Sequence, residues 1–243
     1  MSALHQSQVR QYHEDGYIIP PAGLPATTLV DMQDNLSRFL ESYDGSADFV
    51  PDVLRHDASW LPYASCPEII EPLQQIMGDE IILWSSALFC KAAVGGKSTP
   101  WHQDGEYWPI RPLETVTAWI ALDDVDTENG CLRVIPGSHK SRELLSHHKD
   151  TSGEGVLNLA LKEELWHTAD PVDLELKAGQ FSLHDVYMVH GAEPNRSPRR
   201  RAGLVFRYMP ASSTFDRQLA QQMIDAGKVS EAMRDRELYR VSG

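Results

Sequence analysis

The chain has 243 residues, 42% of them hydrophobic, and a formal net charge of −13, with a sequence pI near 5.1. That suits one mainly β domain with added helices and a sizeable core; the acidity argues against nucleic acid or an anionic membrane as partner. No apolar run is long enough to span a bilayer, Met1 to Asp15 lacks the apolar core of a signal peptide, and the scattered Cys66, Cys90 and Cys131 read as reduced thiols of a cytoplasmic protein.

Ser2 to Asp15 is expected as a short helix anchored by Leu4, Val9 and Tyr12 and stopped at Gly16. Tyr17 to Ile19 reads as a strand closed by two prolines. Pro25 opens a second helix to about Ser42, with Leu29, Met32, Leu36, Phe39 and Leu40 at helical spacing. Gly45 to Ser65 reads as an irregular, aromatic covering loop, and Pro67 to Met77 as a third helix. From Glu80 the pattern becomes strand-like: Ile81 to Trp84, Ala87 to Lys91, and Thr115 to Leu122, where Val116, Ala118, Ile120 and Leu122 alternate with Thr115, Thr117 and Trp119. Asn129-Gly130 is a hairpin signal, with Cys131 to Ile135 the returning strand and Pro136 to His139 a tight turn. Ser141 to Asp170 is polar, a lid or a disordered stretch. Phe181 to Val189 and Ala202 to Met209 are strands, and residues 211–243 are expected to be helical. No internal repeat interrupts a single domain: N-terminal helices over 1–78, a β core over about 80–210, and a C-terminal helical segment.

Three His-x-Asp triplets stand out: His13-Asp15, His102-Asp104 and His148-Asp150. The first ends a helix, where residues two apart diverge. The third lies in a polar loop, where solvated side chains are the plain explanation. His102 and Asp104 lie beside strands among aromatics; on a strand, side chains two apart share a face. Two histidines and one carboxylate on one side of an ion leave open positions, the usual holder of non-haem iron(II) in oxygenases. The third donor must come from His139, His147, His148, His167, His184 or His190. His147, His148 and His167 fall in the polar stretch, and His184 reads as a core histidine in mid-strand. His190 closes the strand Phe181 to Val189. Arg201 follows in the next strand, where a hairpin through Pro194 to Pro198 can bring it near His190. Arginine matches a carboxylate with a planar fork, as the distal carboxylate of 2-oxoglutarate requires. Arg201, Gly203, Val205 and Arg207 share one strand face, so Arg207 is the alternative anchor.

Taken together, Gln8 to Tyr17, Trp101 to Trp108, Thr117-Ala118-Trp119, Glu128 to Lys140, and His190-Gly191 with Arg201 resemble the phytanoyl-CoA dioxygenase family, in order and over roughly residues 8 to 210. The resemblance implies a mainly β double-stranded β-helix (jelly-roll, cupin-like) barrel with flanking helices. It implies Fe(II) held by His102, Asp104 and His190, and 2-oxoglutarate anchored by Arg201, with O2 as co-substrate. Gln103 and Trp119 would line the co-substrate pocket and His139 would sit near it. Lys91 would face the pocket or stand exposed at a strand end. Tyr107 and Trp108, with Trp60, would be substrate wall or core. Ala192 departs from the pattern, standing where a hydroxyl residue helps hold the co-substrate. The intact Asp104 favours hydroxylation over halogenation; desaturation or cyclisation stays open. The expected substrate is a small-molecule metabolite or natural-product intermediate, and the expected state a monomer or homodimer. The alternatives are a cupin-type metalloenzyme without 2-oxoglutarate and a non-catalytic jelly-roll binding protein.

Overall fold

The alternation at Thr115 to Leu122 becomes two faces of one sheet. In the computed structural model, which describes residues 3–166 and 170–242, Val116–Ala121 is a strand buried on both faces. Val116, Ala118, Ile120 and Leu122 pack in the core cluster shared with the helices, whereas Trp119 and Ala121 join a second cluster with Ala87 and Val205.

In chain order the elements are α1 (Gln6–Asp15), β1 (Tyr17–Ile18), α2 (Ala26–Ser42), β2 (Val50–Pro51), α3 (Val53–His56), α4 (Pro67–Met77), β3 (Ile81–Lys91), β4 (Thr99–His102), β5 (Ile110–Arg111) and β6 (Val116–Ala121). They continue with β7 (Leu132–Val134), β8 (His147–Lys149), β9 (Leu159–Leu161), β10 (Val172–Leu174), β11 (Phe181–Asp185), β12 (His190–Ala192), β13 (Arg201–Pro210), β14 (Thr214–Phe215), α5 (Arg217–Asp225) and β15 (Tyr239–Arg240). A seven-stranded sheet runs β1-β11-β6-β13-β3-β15, with β2 also on β3; a four-stranded sheet runs β10-β7-β12-β4. The pairings in both are antiparallel. No helix among the described residues is long and apolar enough to cross a membrane.

The helices follow their sequence signals. His5 caps α1 and Gly16 ends it at φ 82°, a backbone glycine tolerates. Met32, Leu36 and Phe39 of α2 reach the same core as Ile69, Ile70 and Leu73 of α4. Gly45 to Ser65 is more regular than expected: it holds β2, α3 and a 3-10 helix, Ala58–Ser65. Trp60, fully buried there, packs edge-on against Phe39 at 6.4 Å between ring centroids, so it belongs to the helical core and not to a pocket wall.

Other expectations change with the pairing. Ile81 to Lys91 is one strand, not two. Its register with β13 slips once: Arg207 faces Ser85, but Tyr208 faces Leu83, so Trp84 is a bulge. Asn129-Gly130 closes no hairpin, because β6 and β7 lie in different sheets; Asn129 is buried, accepting from the Asp126 N–H and donating to the Asp124 carbonyl. The strand Phe181 to Val189 stops at Asp185, and His190 opens β12 in the other sheet. β12 and β13 likewise lie in different sheets, so no hairpin joins His190 to Arg201. Ser141 to Asp170 contains the β8–β9 hairpin and a 3-10 turn, Glu163–Leu165. The C-terminal stretch adds α5, but also β14 on β5 and β15 on β3. Ser2, His167 and Gly243, part of those expectations, lie outside the described residues. Cys66, Cys90 and Cys131 are unpaired.

Candidate active site

His102 ends β4 and His190 begins β12, directly opposite each other in register. Each ring is fixed from behind: Nδ1 of His102 lies 2.7 Å from the Pro100 carbonyl and Nδ1 of His190 lies 2.9 Å from the Met188 carbonyl. A carbonyl only accepts, so each Nδ1 carries the hydrogen and each Nε2 keeps its lone pair. Those Nε2 atoms stand 3.5 Å and 4.0 Å from Oδ1 of Asp104. One donor atom from each of the three residues lies within 4.8 Å of the others, and all three residues are buried.

Asp104 does not reach this place along a strand. β4 stops at His102, and a 3-10 turn, Asp104–Tyr107, swings the carboxylate round. Gly105 permits the turn: a Cβ there would come within 2.9 Å of the Leu113 and Leu144 side chains. Thr117 donates to Asp104 Oδ2 at 3.1 Å and fixes the carboxylate. Burial pushes the Asp104 carboxyl up, but the facing rings of His102 and His184, with His190 and Arg207 close by, overcome it and hold the group well below the usual range. Burial, with neighbouring His102, holds His190 well below its ordinary value, in the neutral form that binds metal.

A cavity of about 510 Å³ opens over these donors, lined from both sheets. Its wall on the larger sheet is a ladder of cross-strand rows. One row holds Ser85, Arg207, Thr117 and His184; the next holds Ala87, Val205, Trp119 and Ser182; then come Phe89, Gly203 and Ala121, and finally Lys91 with Arg201. The metal donors sit against the first row, through Thr117, and Arg201 stands at the far end. Arg201 is 2% exposed. Its Nη2 donates to the Gly130 carbonyl at 2.9 Å, its Nε has no partner, and its guanidinium lies 5.2 Å from the Trp119 ring centroid. Burial lowers its pKa to about 10, so it stays charged at neutral pH. Gly203 makes room for that stack, since a Cβ there would meet the Trp119 ring at 2.1 Å.

The other sequence-predicted residues divide. Trp119, Tyr107 and Trp108 line the cavity. Lys91 is fully buried beside Arg201, not exposed; its Nζ donates to the Glu193 carbonyl, and burial and the Arg201 charge push it down to about 6. It belongs to the Arg201 end of the ladder and not to the Tyr107–Trp108 wall. Gln103 is fully buried but is not among the cavity's lining residues. Its amide donates to the Glu143 and Tyr187 carbonyls and accepts from the Leu145 N–H. His139 also stands outside the cavity, its Nε2 3.1 Å from the His13 carbonyl at the end of α1. Ala192 lines the cavity.

Two histidines differ from their sequence reading. His184 is no satisfied core residue: neither ring nitrogen has a hydrogen-bond partner among the described residues, it lines the cavity, and its Nε2 is 3.7 Å from Asp104 Oδ2. His147 is no solvated loop residue: its side chain is buried, Nε2 accepts from the Gln103 N–H at 3.1 Å, and Nδ1 donates to the Leu145 carbonyl at 2.8 Å. Trp84, Ser85, Asp52 and Arg236 complete one wall and were not singled out from sequence. The bulge explains Trp84: Leu83 faces the helical core, whereas Trp84 turns inward onto Trp108, with ring centroids 4.8 Å apart.

The family model for phytanoyl-CoA dioxygenase (PhyH) matches residues 12–203. A probable phytanoyl-CoA dioxygenase of Caenorhabditis elegans is 27% identical over 183 residues, 68% of this chain and 58% of that protein. A probable alpha-ketoglutarate-dependent hypophosphite dioxygenase of Stutzerimonas stutzeri is 32% identical over 150 residues, 60% of this chain and 51% of its own length. The chain spans about half the length of the curated relatives it matches. Among solved structures, the non-heme alpha-ketoglutarate-dependent carbocyclase SnoK from nogalamycin biosynthesis superposes with a TM-score of 0.74 at 26% identity, covering 93% of this chain and 92% of that one. The opposed histidines, the turn that delivers Asp104 and the buried Arg201 all fall inside the matched span, and the chain belongs to the phytanoyl-CoA dioxygenase family.

Proposed function

We propose that the protein is a non-haem Fe(II)/2-oxoglutarate-dependent dioxygenase that hydroxylates an unactivated C–H bond of a small molecule. We read the two antiparallel sheets as a double-stranded β-helix barrel within one domain spanning 1–243, acting as a cytoplasmic monomer or homodimer. The carrying observation is the convergence of His102, Asp104 and His190 donors within 4.8 Å, at one end of a cavity whose other end holds Arg201. The donor set fits iron(II): two imidazoles whose Nδ1 sides are held by carbonyls, which turns each Nε2 to the metal, and one carboxylate. The far end fits the distal carboxylate of 2-oxoglutarate, because Arg201 is buried with an unpartnered Nε. A cupin-type metalloenzyme without 2-oxoglutarate, or a non-catalytic binding protein, gives that arginine no task.

With iron, 2-oxoglutarate and O2 bound, the site gains the oxidising power to hydroxylate a C–H bond while succinate and carbon dioxide are released. The residues of the chain orient and shield. His102, Asp104 and His190 hold the metal; Thr117 fixes the carboxylate. Arg201, stacked on Trp119, would hold the distal carboxylate of the co-substrate. Tyr107, whose hydroxyl donates to the Leu159 carbonyl, ties β9 beside the cavity that Val156, Leu157 and Asn158 line, which limits water. The intact carboxylate at 104 leaves no ligand position for halide, which favours hydroxylation; desaturation and cyclisation use the same site with another substrate pose. The test is metal-dependent succinate formation from 2-oxoglutarate, compared in wild type, Asp104→Ala and His190→Ala. Loss of bound iron and of succinate in both variants is expected, and normal turnover in either contradicts the ligand assignment.

A further inference from the structure

The cavity contains a second arginine for which the proposed reaction has no use. Arg207 lies on the same strand face as Arg201, six residues away, roughly 20 Å along an extended strand. It stands in the ladder row of Thr117, next to the metal donors, and lines the cavity. Among the described residues it makes no hydrogen bond and no ion pair, and its Nε is sealed without an acceptor. Its guanidinium lies 5.3 Å from the Trp108 ring centroid. Water reaches part of the side chain through the cavity, yet burial still lowers its pKa. An interior cation without an acceptor is costly, and such groups are ordinarily paired.

The nearby carboxylates, Asp104 and Asp52, act on Arg207 through their charges but make their contacts elsewhere. Asp104 faces the histidines and Thr117. Asp52 lies 2.7 Å from Nη1 of Arg236, a residue 8% exposed on the same cavity wall. Asp52 also has a left-handed backbone, φ 54°, unusual for a non-glycine residue. Asp52 therefore offsets one of the two arginines, Arg207 and Arg236, that line the cavity beyond Arg201, and leaves one positive charge over. At the metal end, iron(II) with Asp104, 2-oxoglutarate and Arg201 would come to no net charge, and a proton on Lys91 would only add to the positive side, so that end leaves no negative charge over for Arg207. Trp84, brought inward by the bulge opposite Arg207, joins Trp108 as an apolar wall beside it.

Resting on the dioxygenase reading, we propose that Arg207 is a substrate anchor: the substrate carries a carboxylate or phosphoryl oxyanion that its guanidinium grips, with an apolar body against Trp84 and Trp108. The unpartnered fork supplies bidentate recognition of such a group, and the aromatic wall selects what lies behind it. The anchor is next to the metal donors, so the oxidised carbon is close to the anionic group and not at the end of a long chain.

The test is anaerobic calorimetry on the Fe(II)- and 2-oxoglutarate-loaded protein and on the metal-free protein. The probes are benzoate and phenyl phosphate, with neutral benzamide as control, against wild type, Arg207→Met and Arg207→Lys. Wild type is expected to bind at least one anion tenfold or more tighter than benzamide, and the tighter of the two identifies carboxylate or phosphoryl as the natural group. Arg207→Met is expected to abolish that preference, and Arg207→Lys to keep part of it, while the Fe(II)–2-oxoglutarate absorption persists in both. Equal binding of anion and amide by wild type, or an undiminished preference in folded Arg207→Met, overturns the anchor. A wild type that prefers the anion but never forms the Fe(II)–2-oxoglutarate absorption supports the anchor and overturns the dioxygenase reading.

Discussion

His102 and His190 face each other across adjacent strands with ring centroids 4.1 Å apart, each held from behind by a carbonyl two residues upstream. The same two-residue loop-back on both strands makes the pair symmetric: the backbone fixes the tautomer, and no other side chain is needed to do it. What the backbone does not fix is Asp104, which depends on Thr117.

Thr117→Val keeps the shape of a buried side chain and removes only the hydroxyl that holds Asp104. Such supporting hydrogen bonds typically contribute 10- to 100-fold in metal affinity. Fe(II) affinity is expected to fall by about tenfold or more with little change in melting temperature, measured by anaerobic metal titration beside a thermal melt. Unchanged affinity would remove Thr117 from the account.

Lys91 gives a pH dependence with a definite sign. It sits at about 6 in the folded chain against an ordinary 10.5. Between those values the unfolded chain holds the extra proton, so this group makes stability rise with pH across that window. A 2-oxoglutarate carboxylate beside Arg201 draws the proton back to Lys91. Co-substrate binding is then tighter at pH 6.5 than at pH 8.5, by at most about tenfold per pH unit, and Lys91→Met flattens the profile. Dissociation constants at the two pH values decide it; a flat wild-type profile contradicts it.

Gln103→Leu tests whether the buried Gln103 amide holds the stretch that leads into β8. Two carbonyls and the Leu145 N–H lose their partner inside the protein, at about 1–3 kcal/mol for each buried group left unsatisfied. Faster amide exchange at Leu145 and across the β8–β9 hairpin is expected, with His102 and His190 still binding metal. Exchange rates equal to wild type would mean that the hairpin is held by other contacts.

Gly203→Ala puts a methyl into the Trp119 ring. A loss of about 1–3 kcal/mol is expected from overpacking, together with weaker 2-oxoglutarate binding as the ring leaves Arg201. Pairing the change with Trp119→Leu should recover stability without recovering co-substrate affinity. Chemical denaturation of the single and double variants measures both.

The three donors that the structure brings together were legible because His102 and Asp104 lie in one short motif and His190-Gly191 belongs to the same family resemblance; the place of His190 was not, since it reads as closing a strand and instead opens β12. How Asp104 arrives was not legible, since a strand and a 3-10 turn both place it near His102 and only packing around Gly105 decides. Strand parity correctly put Arg201 and Arg207 on one face. Trp84 could not be placed the same way, because a bulge exists only relative to the register of β13. His147 and Gln103 looked like a loop residue and a pocket residue until the fold joined them across 44 positions. Non-local pairing carries that information, and the residues themselves do not.

The central claim is tested most directly by adding Fe(II) and 2-oxoglutarate to the protein without oxygen and recording the visible metal-to-ligand charge-transfer band. Wild type is expected to form the band, Asp104→Ala to lose it with the metal, and Arg201→Ala to need about a hundredfold more 2-oxoglutarate, as truncating one partner of a buried charge pair implies. A wild type with no band, or an Arg201→Ala variant with undiminished co-substrate affinity, would contradict the account.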